Sequence, residues 1–266
     1  MSGKHYNGDK EKKSGKAKKI IILLILFIFI SIMIFTGMKI FNWLKENKES
    51  NDIIEDIQDS ISIDENKDNI DKYNVDLENL KQTNSDTIAW LKVNGTDIEY
   101  PVVKTKNNDY YMTHSFDKSY NSAGWVFMDY KDKFDGTDRN MVIYAHNRRD
   151  GSMFGTLKNI LTEEWQNNED NYIIPFITEN EKAEYQVFSI YIIEKEDYYI
   201  TTNFRTDSEF QKFIDKIKSR SVKDFGIDVT TDDHILTLST CADNNKYRVV
   251  LHAKKYNGDS DWKDKI

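Results

Sequence analysis

Residues 234–253, "HILTLSTCADNNKYRVVLHA", hold two apolar runs separated by a polar turn. The runs, 234–240 and 247–253, are rich in Leu, Val and Ile or aromatic residues, which favour extended backbone. The segment between them, "CADNNK", contains the Asn and Asp residues that are typical of turns. This stretch therefore predicts a β-hairpin at the C-terminal end of a β-rich domain.

Six further runs of similar composition precede this hairpin, separated by clusters of Asn, Asp, Gly and Lys. They are "IAWLKV" (88–93), "DIEYPVV" (97–103), "GWVFM" (124–128), "NMVIYA" (140–145), "YIIPFI" (172–177) and "EYQVFSIYII" (184–193). Eight short strands joined by polar turns favour a closed or nearly closed barrel over a βαβ sheet.

One amphipathic helix is predicted between the sixth and seventh strands, over residues 207–220. Its apolar positions recur at the spacing of a single helix face: Phe210, Phe213, Ile214 and Ile217. Thr206, followed three residues later by Glu209, forms a capping-box pattern that starts a helix. The fold class predicted is mainly β (α+β), an eight-stranded barrel with this helix and an N-terminal helical extension.

An uncharged apolar segment, "IIILLILFIFISIMIFTGM" (20–38), lies near the N-terminus. As a helix rising about 1.5 Å per residue it spans about 28 Å, close to the hydrocarbon thickness of a bilayer. An uncleaved anchor is favoured over a signal peptide, because the apolar core is long and no small-residue cleavage site follows it. Lysines precede the span while both charge signs follow it, so the N-terminus is predicted to be cytoplasmic and the main domain extracellular.

Changes of composition divide the chain into five parts. We predict a basic cytoplasmic tail over 1–19, a transmembrane anchor over 20–38, a polar stalk over 39–70, a β-rich domain over 71–256 and a C-terminal tail over 257–266. The whole chain has 37 basic and 45 acidic side chains, a formal net charge of -8. The membrane is thus a predicted partner, while an acidic main body disfavours nucleic acid, whose phosphates need a basic face.

Cys241 is the only cysteine of the chain, so no internal disulfide can form. Either it is a buried packing residue, or its chemistry is the reason for its presence. If Cys241 faces Arg248 across the hairpin, their Cβ atoms lie about 5 Å apart. A permanent positive charge there favours the thiolate and stabilises a developing oxyanion, although such an arginine can equally form a surface ion pair with Asp243 or another carboxylate.

A thiol nucleophile needs a proton acceptor, which is usually histidine. His5 precedes the apolar segment, and His114 lies in a polar stretch. His234 and His252 are about 23 Å and 13 Å along their strands from the thiol position. By elimination the best partner is His146, where a buried-type strand ends and a polar loop begins.

These residues occur in a pattern that resembles the sortases, the cysteine transpeptidases of the Gram-positive cell surface. The resemblance rests on "TLSTC" followed by the arginine of "YRVVLHAKK", on "VIYAHN" with "MFGTL" after it, and on the N-terminal anchor. "YPVV", the N-x-x-Y pattern of "NNDYYM", the helical extension and the helix between the sixth and seventh strands are similar to class B. The resemblance covers about residues 71–256. Together and in this order, the motifs are specific for the family.

The resemblance implies a catalytic trio of His146, Cys241 and Arg248. The thiolate attacks the threonine carbonyl of a C-terminal sorting signal, the histidine protonates the leaving amine, and the arginine holds the substrate or its oxyanion. An amine of the cell-wall cross-bridge, or of its lipid-linked precursor, then resolves the thioacyl enzyme. The implied protein substrates carry a signal of the N-P-x-T-N or P-x-T-G type.

The same resemblance implies a set of residues that contact the signal peptide: Asn108, Met112, Tyr199, Ile200, Ser239 and Thr240. The gap from Cys241 to Arg248 is shorter than in some class B members, which leaves the turn geometry and the role of Asp243 open. No cofactor is expected and no metal is assigned, because "DYKDKFDGTD" (129–138) lacks EF-hand spacing and no paired Cys or His offers a zinc site.

Two other functions stay open on the sequence alone. A thiol hydrolase on the same scaffold would release free acid whether or not an amine is present. A non-enzymatic surface receptor would use Cys241 for packing only. A papain-like protease is disfavoured because its cysteine precedes its histidine, and here His146 precedes Cys241.

Overall fold

The computed structural model describes residues 8–194, 196–241 and 246–256, with the backbone alone for 8–17 and 241. Asp243, whose role the sequence left open, lies outside the described residues. So do His5 and the tail predicted over 257–266.

A helix of 51 residues, α1 (Gly8–Gln58), forms the N-terminal part of the chain. The chain divides into two compact units, Met1–Glu49 and Ser50–Ile266, with the division inside this helix. From Lys18 onward α1 is long and apolar enough to cross a membrane, and an 18-residue stretch of it reaches a mean hydropathy of 3.1. The boundaries of tail, anchor and stalk stay predictions.

Ten strands follow in the second unit. They are β1 (Ile61–Ile63), β2 (Tyr73–Val75), β3 (Thr87–Val93), β4 (Ile98–Val103), β5 (Phe127–Met128), β6 (Asn140–His146), β7 (Ile173–Thr178), β8 (Lys182–Glu194), β9 (Ile235–Cys241) and β10 (Tyr247–Lys255). The first two pair with each other as a separate antiparallel ribbon.

The remaining eight strands close into a barrel in the order β10-β8-β7-β3-β4-β5-β6-β9. Two neighbouring pairs, β4–β5 and β6–β9, are parallel, and the other pairs are antiparallel. Each strand coincides with one of the eight apolar runs, so the predicted mainly β barrel is confirmed. Closure gives every one of these strands two partners and leaves no open edge.

Three α-helices besides α1 are present in the described part of the chain: α2 (Leu77–Thr83), α3 (Glu163–Gln166) and α4 (Asp207–Arg220). The last lies between the sixth and seventh barrel strands, as predicted. Thr206 Oγ accepts a hydrogen bond from the backbone N–H of Glu209 at 3.1 Å, which caps its N-terminus. Its buried residues are Phe210, Phe213, Ile214 and Ile217, and each contributes about 1.5–3 kcal/mol by leaving water.

The end of α1 already belongs to the core of the second unit. Ile57 is buried, and Ile53, Ile54 and Ile61 pack against the same cluster. Ile53, Ile54 and Ile57 lie on one apolar face of the helix end, which the domain covers. Ile61 is outside the helix and begins β1. Packing therefore starts before residue 71, the predicted start of the β-rich domain.

A buried carboxyl group lies in the loop between β5 and β6. Asp132 is 1% exposed, and its Oδ2 accepts a hydrogen bond from the Val142 N–H at 2.8 Å. Burial, followed by the nearby carboxylates of Asp129 and Asp138, raises the pKa of Asp132 to about 8. The group is therefore largely neutral in the folded protein at neutral pH and ionised in the unfolded chain.

Asp132→Asn is expected to stabilise the protein more at pH 9 than at pH 5. Because the pKa of Asp132 is raised on folding from 3.8 to about 8, the stability of the wild type falls as the pH rises between these values. An amide keeps the acceptor for Val142 and carries no charge. The expected gain at pH 9 is about 1–3 kcal/mol, measured by urea unfolding at both pH values.

The matched control is Asp135→Asn, in the same loop. Hydrogen bonds from Thr137 lower the pKa of Asp135 below its ordinary value. Because this carboxylate is ionised at both pH values, the variant should change stability equally at pH 5 and 9. Equal gains for Asp132→Asn at the two pH values would contradict the raised pKa.

Candidate active site

The strand pair β6–β9 brings together two of the predicted catalytic residues. These strands are parallel, and their register pairs His146 with Cys241. Neighbouring strands of a sheet lie about 4.8 Å apart. Because both strands end at this pair, His146 and Cys241 lie side by side at one rim of the barrel.

Arg248 lies at the same rim, as the second residue of β10. This strand runs antiparallel to β9, and the pair of Val250 with Ser239 is the ladder pair nearest to the rim. The same register, continued by two residues, sets Arg248 opposite Cys241. The three predicted catalytic positions thus occupy the ends of three consecutive strands, β6, β9 and β10.

The Arg248 side chain is enclosed by the domain rather than extended into solvent. It is 4% exposed, and its Nη1 donates to the carbonyl of Tyr247 at 2.9 Å. The Val249 N–H donates to Thr240 Oγ at 3.1 Å, which keeps β9 and β10 together beyond their last ladder pair. A buried guanidinium keeps its charge, so the rim carries a fixed cation at low dielectric.

The imidazole of His146 is held by a backbone carbonyl. Its Nε2 lies 2.8 Å from the carbonyl oxygen of Met112, and since a carbonyl only accepts, Nε2 carries the proton. Nδ1 is buried, and within the described part of the chain it has no hydrogen-bond partner. With its proton on Nε2, the ring has Nδ1 left as a proton acceptor.

A cavity of about 360 Å³ opens beside these residues, and we call it the rim cavity. Arg248 lines it together with all six residues predicted to contact a peptide: Asn108, Met112, Tyr199, Ile200, Ser239 and Thr240. Asp109, Phe127, Tyr144, Glu196 and Asp197 complete the lining. Of the three predicted catalytic residues, Arg248 lines this cavity, and His146 contacts Met112 of its wall.

The carboxamide of Asn108 is used in holding the wall of this cavity. Its Nδ2 donates to Asp129 Oδ2 at 3.1 Å, and its Oδ1 accepts from the Tyr130 N–H at 2.9 Å. Tyr144 donates to the same carboxylate oxygen at 2.8 Å, and burial raises the pKa of this phenol. These contacts fix the loop after β5 against the cavity.

Comparison with known proteins assigns the chain to a family. A family model described as a sortase domain matches residues 91–256. Sortase B of Listeria monocytogenes is 31% identical over 243 residues, which are 90% of this chain and 98% of that relative. This chain belongs to the sortase family.

Solved structures agree with this assignment. A Staphylococcus aureus sortase B–substrate complex matches with a TM-score of 0.64 and 30% identity, over 83% of this chain and 97% of that chain. A sortase B complexed with Gly3 matches with a TM-score of 0.64 and 34% identity, over 68% and 85% of the two chains. The predicted class, B, is thereby confirmed.

As a sortase, the protein is a cysteine transpeptidase of the cell surface that acts on surface proteins with sorting signals. This confirms the predicted enzyme type and disfavours the non-enzymatic receptor. The roles of His146, Cys241, Arg248 and the six lining residues stay predictions.

None of the three other described histidines lines the rim cavity. His114 stacks on Tyr110, with ring centroids 4.1 Å apart. Nδ1 of His234 is 2.7 Å from the carbonyl oxygen of Asp138, and His252 pairs with Thr237 inside the barrel sheet. Among the described residues, no group of three or more His, Cys, Asp or Glu is arranged to hold a metal ion.

Gly124 lies against His146 and is a position that the sequence argument did not find. Its φ is +62°, and a Cβ there would lie 2.5 Å from the Tyr111 carbonyl oxygen and 3.0 Å from both the Met112 carbonyl oxygen and His146 Cδ2. Only glycine combines this backbone with such an approach. The signal in the sequence was a glycine directly before the strand-like run "WVFM".

Gly124→Ala is expected to lower kcat/KM for peptide cleavage by about 10- to 100-fold, because small displacements of a catalytic group are costly. The added methyl group pushes against both the imidazole of His146 and the carbonyl that holds it. The measurement is steady-state cleavage of a sorting-signal peptide, together with the unfolding temperature.

Gly226→Ala is the matched control. Gly226 has a φ of +65° and nothing within 4 Å of an added Cβ. Its replacement by alanine therefore introduces the same backbone strain without a contact to His146. If both variants lose the same activity, the position of His146 does not depend on Gly124.

Proposed function

We propose that this sortase cleaves a C-terminal sorting signal after threonine, with Cys241 as nucleophile, His146 as general base and acid, and Arg248 as the oxyanion and substrate partner. The observation that carries the proposal is the register pair of His146 and Cys241, with Arg248 in the adjoining cavity. The rim cavity is the proposed binding site of the signal peptide.

The first half-reaction forms a thioester bond to Cys241 and breaks the peptide bond after the threonine of the signal. Nδ1 of His146 takes the thiol proton, and Sγ of Cys241 adds to the threonine carbonyl carbon. The Met112 carbonyl, which accepts from Nε2–H, stabilises the imidazolium that forms. The C–N bond then breaks, and Nδ1–H protonates the leaving amine, which gives a thioacyl enzyme.

The negative oxygen of the tetrahedral intermediate needs a fixed positive partner. Arg248 is buried beside the nucleophile position, where a charge is worth more than in water. A guanidinium also favours the thiolate over the thiol. The geometry therefore supports one cation acting on both the nucleophile and the oxyanion.

The second half-reaction transfers the acyl group to an amine. A related sortase B has been solved with Gly3, a peptide whose free amine suits this step. For this chain we propose an amine of the cell-wall cross-bridge or of its lipid-linked precursor as acceptor, and a signal of the N-P-x-T-N or P-x-T-G type as donor.

We also propose the orientation of the enzyme at the membrane. Lysines are concentrated before the apolar segment of α1, which by the positive-inside rule keeps the N-terminus in the cytoplasm. The barrel is then extracellular, where surface proteins and the cell wall meet.

The test uses the full chain in detergent micelles with peptides carrying each pentapeptide type, with and without triglycine. Mass spectrometry is expected to show cleavage after threonine and a product extended by the glycines. Free acid released at one rate with or without triglycine would identify a thiol hydrolase instead. Failure to cleave any of the peptides would overturn the proposed donor.

A further inference from the structure

A chain of buried polar side chains crosses the barrel wall away from the catalytic rim. Its members lie on four adjacent strands, β8, β10, β9 and β6: Tyr191, His252, Thr237 and Asn140. Tyr191 is 2% exposed and the other three are fully buried. Buried polar groups are costly unless each finds a partner, so the arrangement of their hydrogen bonds is informative.

The hydrogen bonds of these four residues run in one direction. Thr237 donates to Asn140 Oδ1 at 2.6 Å, which leaves its oxygen to accept from Nδ1 of His252 at 2.8 Å. Nε2 of His252 is then the acceptor for the Tyr191 hydroxyl, also at 2.8 Å. Burial lowers the pKa of His252 to about 3, which keeps the ring neutral, as this order of donors requires.

Both ends of the chain reach the same short segment, 198–201. At one end, Nδ2 of Asn140 donates to the carbonyls of Thr201 at 2.9 Å and Tyr199 at 3.4 Å. At the other end, the hydroxyl of Tyr198 donates to the hydroxyl of Tyr191 at 3.4 Å. The network therefore begins and ends on segment 198–201.

Segment 198–201 forms one wall of the rim cavity. It contains a single 3-10 turn, Tyr198–Ile200, whose Tyr199 and Ile200 line that cavity. Within the turn, the N–H groups of Ile200 and Thr201 donate long backbone bonds of 3.3 Å and 3.4 Å, and Thr201 Oγ1 donates to the Tyr198 carbonyl at 2.8 Å. The side chains of Asn140 and Tyr191 connect this turn to the barrel.

We propose that Asn140, Thr237, His252 and Tyr191 form a positioning network that holds segment 198–201 as a wall of the substrate site. None of the four residues lines the rim cavity, so they act through Tyr199 and Ile200. This inference rests on the proposed function for its kinetic effect, but its structural effect can be measured without substrate.

Thr237→Val tests the network, because valine matches threonine in shape and lacks the hydroxyl. It removes the partner of Asn140 Oδ1 and of His252 Nδ1 together. The KM for the signal peptide is expected to rise about tenfold, because the variant loses one to two hydrogen bonds of the network. The kcat is expected to change by less than about twofold. Hydrogen exchange measured by mass spectrometry in a peptide covering 196–206 should be faster by a similar factor.

Thr237→Ser restores the hydroxyl and should recover both values. Thr87→Val is the matched control, since Thr87 is 1% exposed and its hydroxyl donates to the Asn84 carbonyl at 2.7 Å, outside the network. It should leave the KM and the exchange of 196–206 as in the wild type.

Tyr198→Phe removes only the hydroxyl at the far end and gives a second variant if Thr237→Val does not fold. Faster exchange over 196–206 is again expected. Wild-type exchange and KM in the variants that fold would overturn the network. A wild-type enzyme that cleaves no peptide would overturn the proposed function instead, while the exchange result would still decide the network.

Discussion

Cys241→Ala is expected to abolish both cleavage of the sorting-signal peptide and transfer to triglycine. Removing the nucleophile from a covalent mechanism costs at least about 10⁴-fold in kcat, because no thioacyl intermediate forms. The measurement is product mass after prolonged incubation at high enzyme concentration. The variant should unfold at the wild-type temperature if the loss is chemical.

A thiol-specific methanethiosulfonate reagent provides the control. Cys241 is the only cysteine, so the wild type should take up one equivalent and lose activity in proportion, while Cys241→Ala should take up none. If Cys241→Ala retained turnover, the nucleophile would have to be another residue.

His146→Gln is expected to lower kcat/KM by about 10²–10⁴-fold, the range that general acid–base catalysis supplies. The glutamine amide can still donate to the Met112 carbonyl that now accepts from Nε2, so the local structure has a substitute. It has no titratable nitrogen at the position of Nδ1. Steady-state cleavage of the sorting-signal peptide measures the loss.

His234→Gln is the matched control. His234 precedes β9, whose far end carries Cys241, and its Nδ1 contacts the Asp138 carbonyl. Its activity should equal that of the wild type. Equal losses in both variants would mean that replacing any histidine of this domain disturbs the rim.

The strands and the helix α4 were predictable because their signals are local. Apolar and β-branched runs of five to ten residues mark strands, and the four-residue stripe beginning at Phe210 marks one face of a helix. The position of His146 at a strand end was equally visible. Its pairing with Cys241 was inferred by excluding the other histidines and from the family resemblance.

Features set by pairing between distant strands were not predictable. The parallel register of β6 and β9 depends on the order in which the barrel closes, which no local pattern specifies. The carbonyl of Met112 is a backbone group and carries no residue signal. Asn140 and Thr237 look like ordinary polar positions in strands, and only the pairing of β6 with β9 brings their side chains into a hydrogen bond.

The parallel pair β6–β9 also has a consequence for biogenesis. His146 and Cys241 are far apart along the chain, and the loop closure that unites them is entropically unfavourable until the intervening strands are in place. Contacts of such long sequence separation form late. A polypeptide whose last strands have not yet docked therefore has no assembled copy of the proposed catalytic centre, and a molecule truncated before β9 lacks the centre altogether.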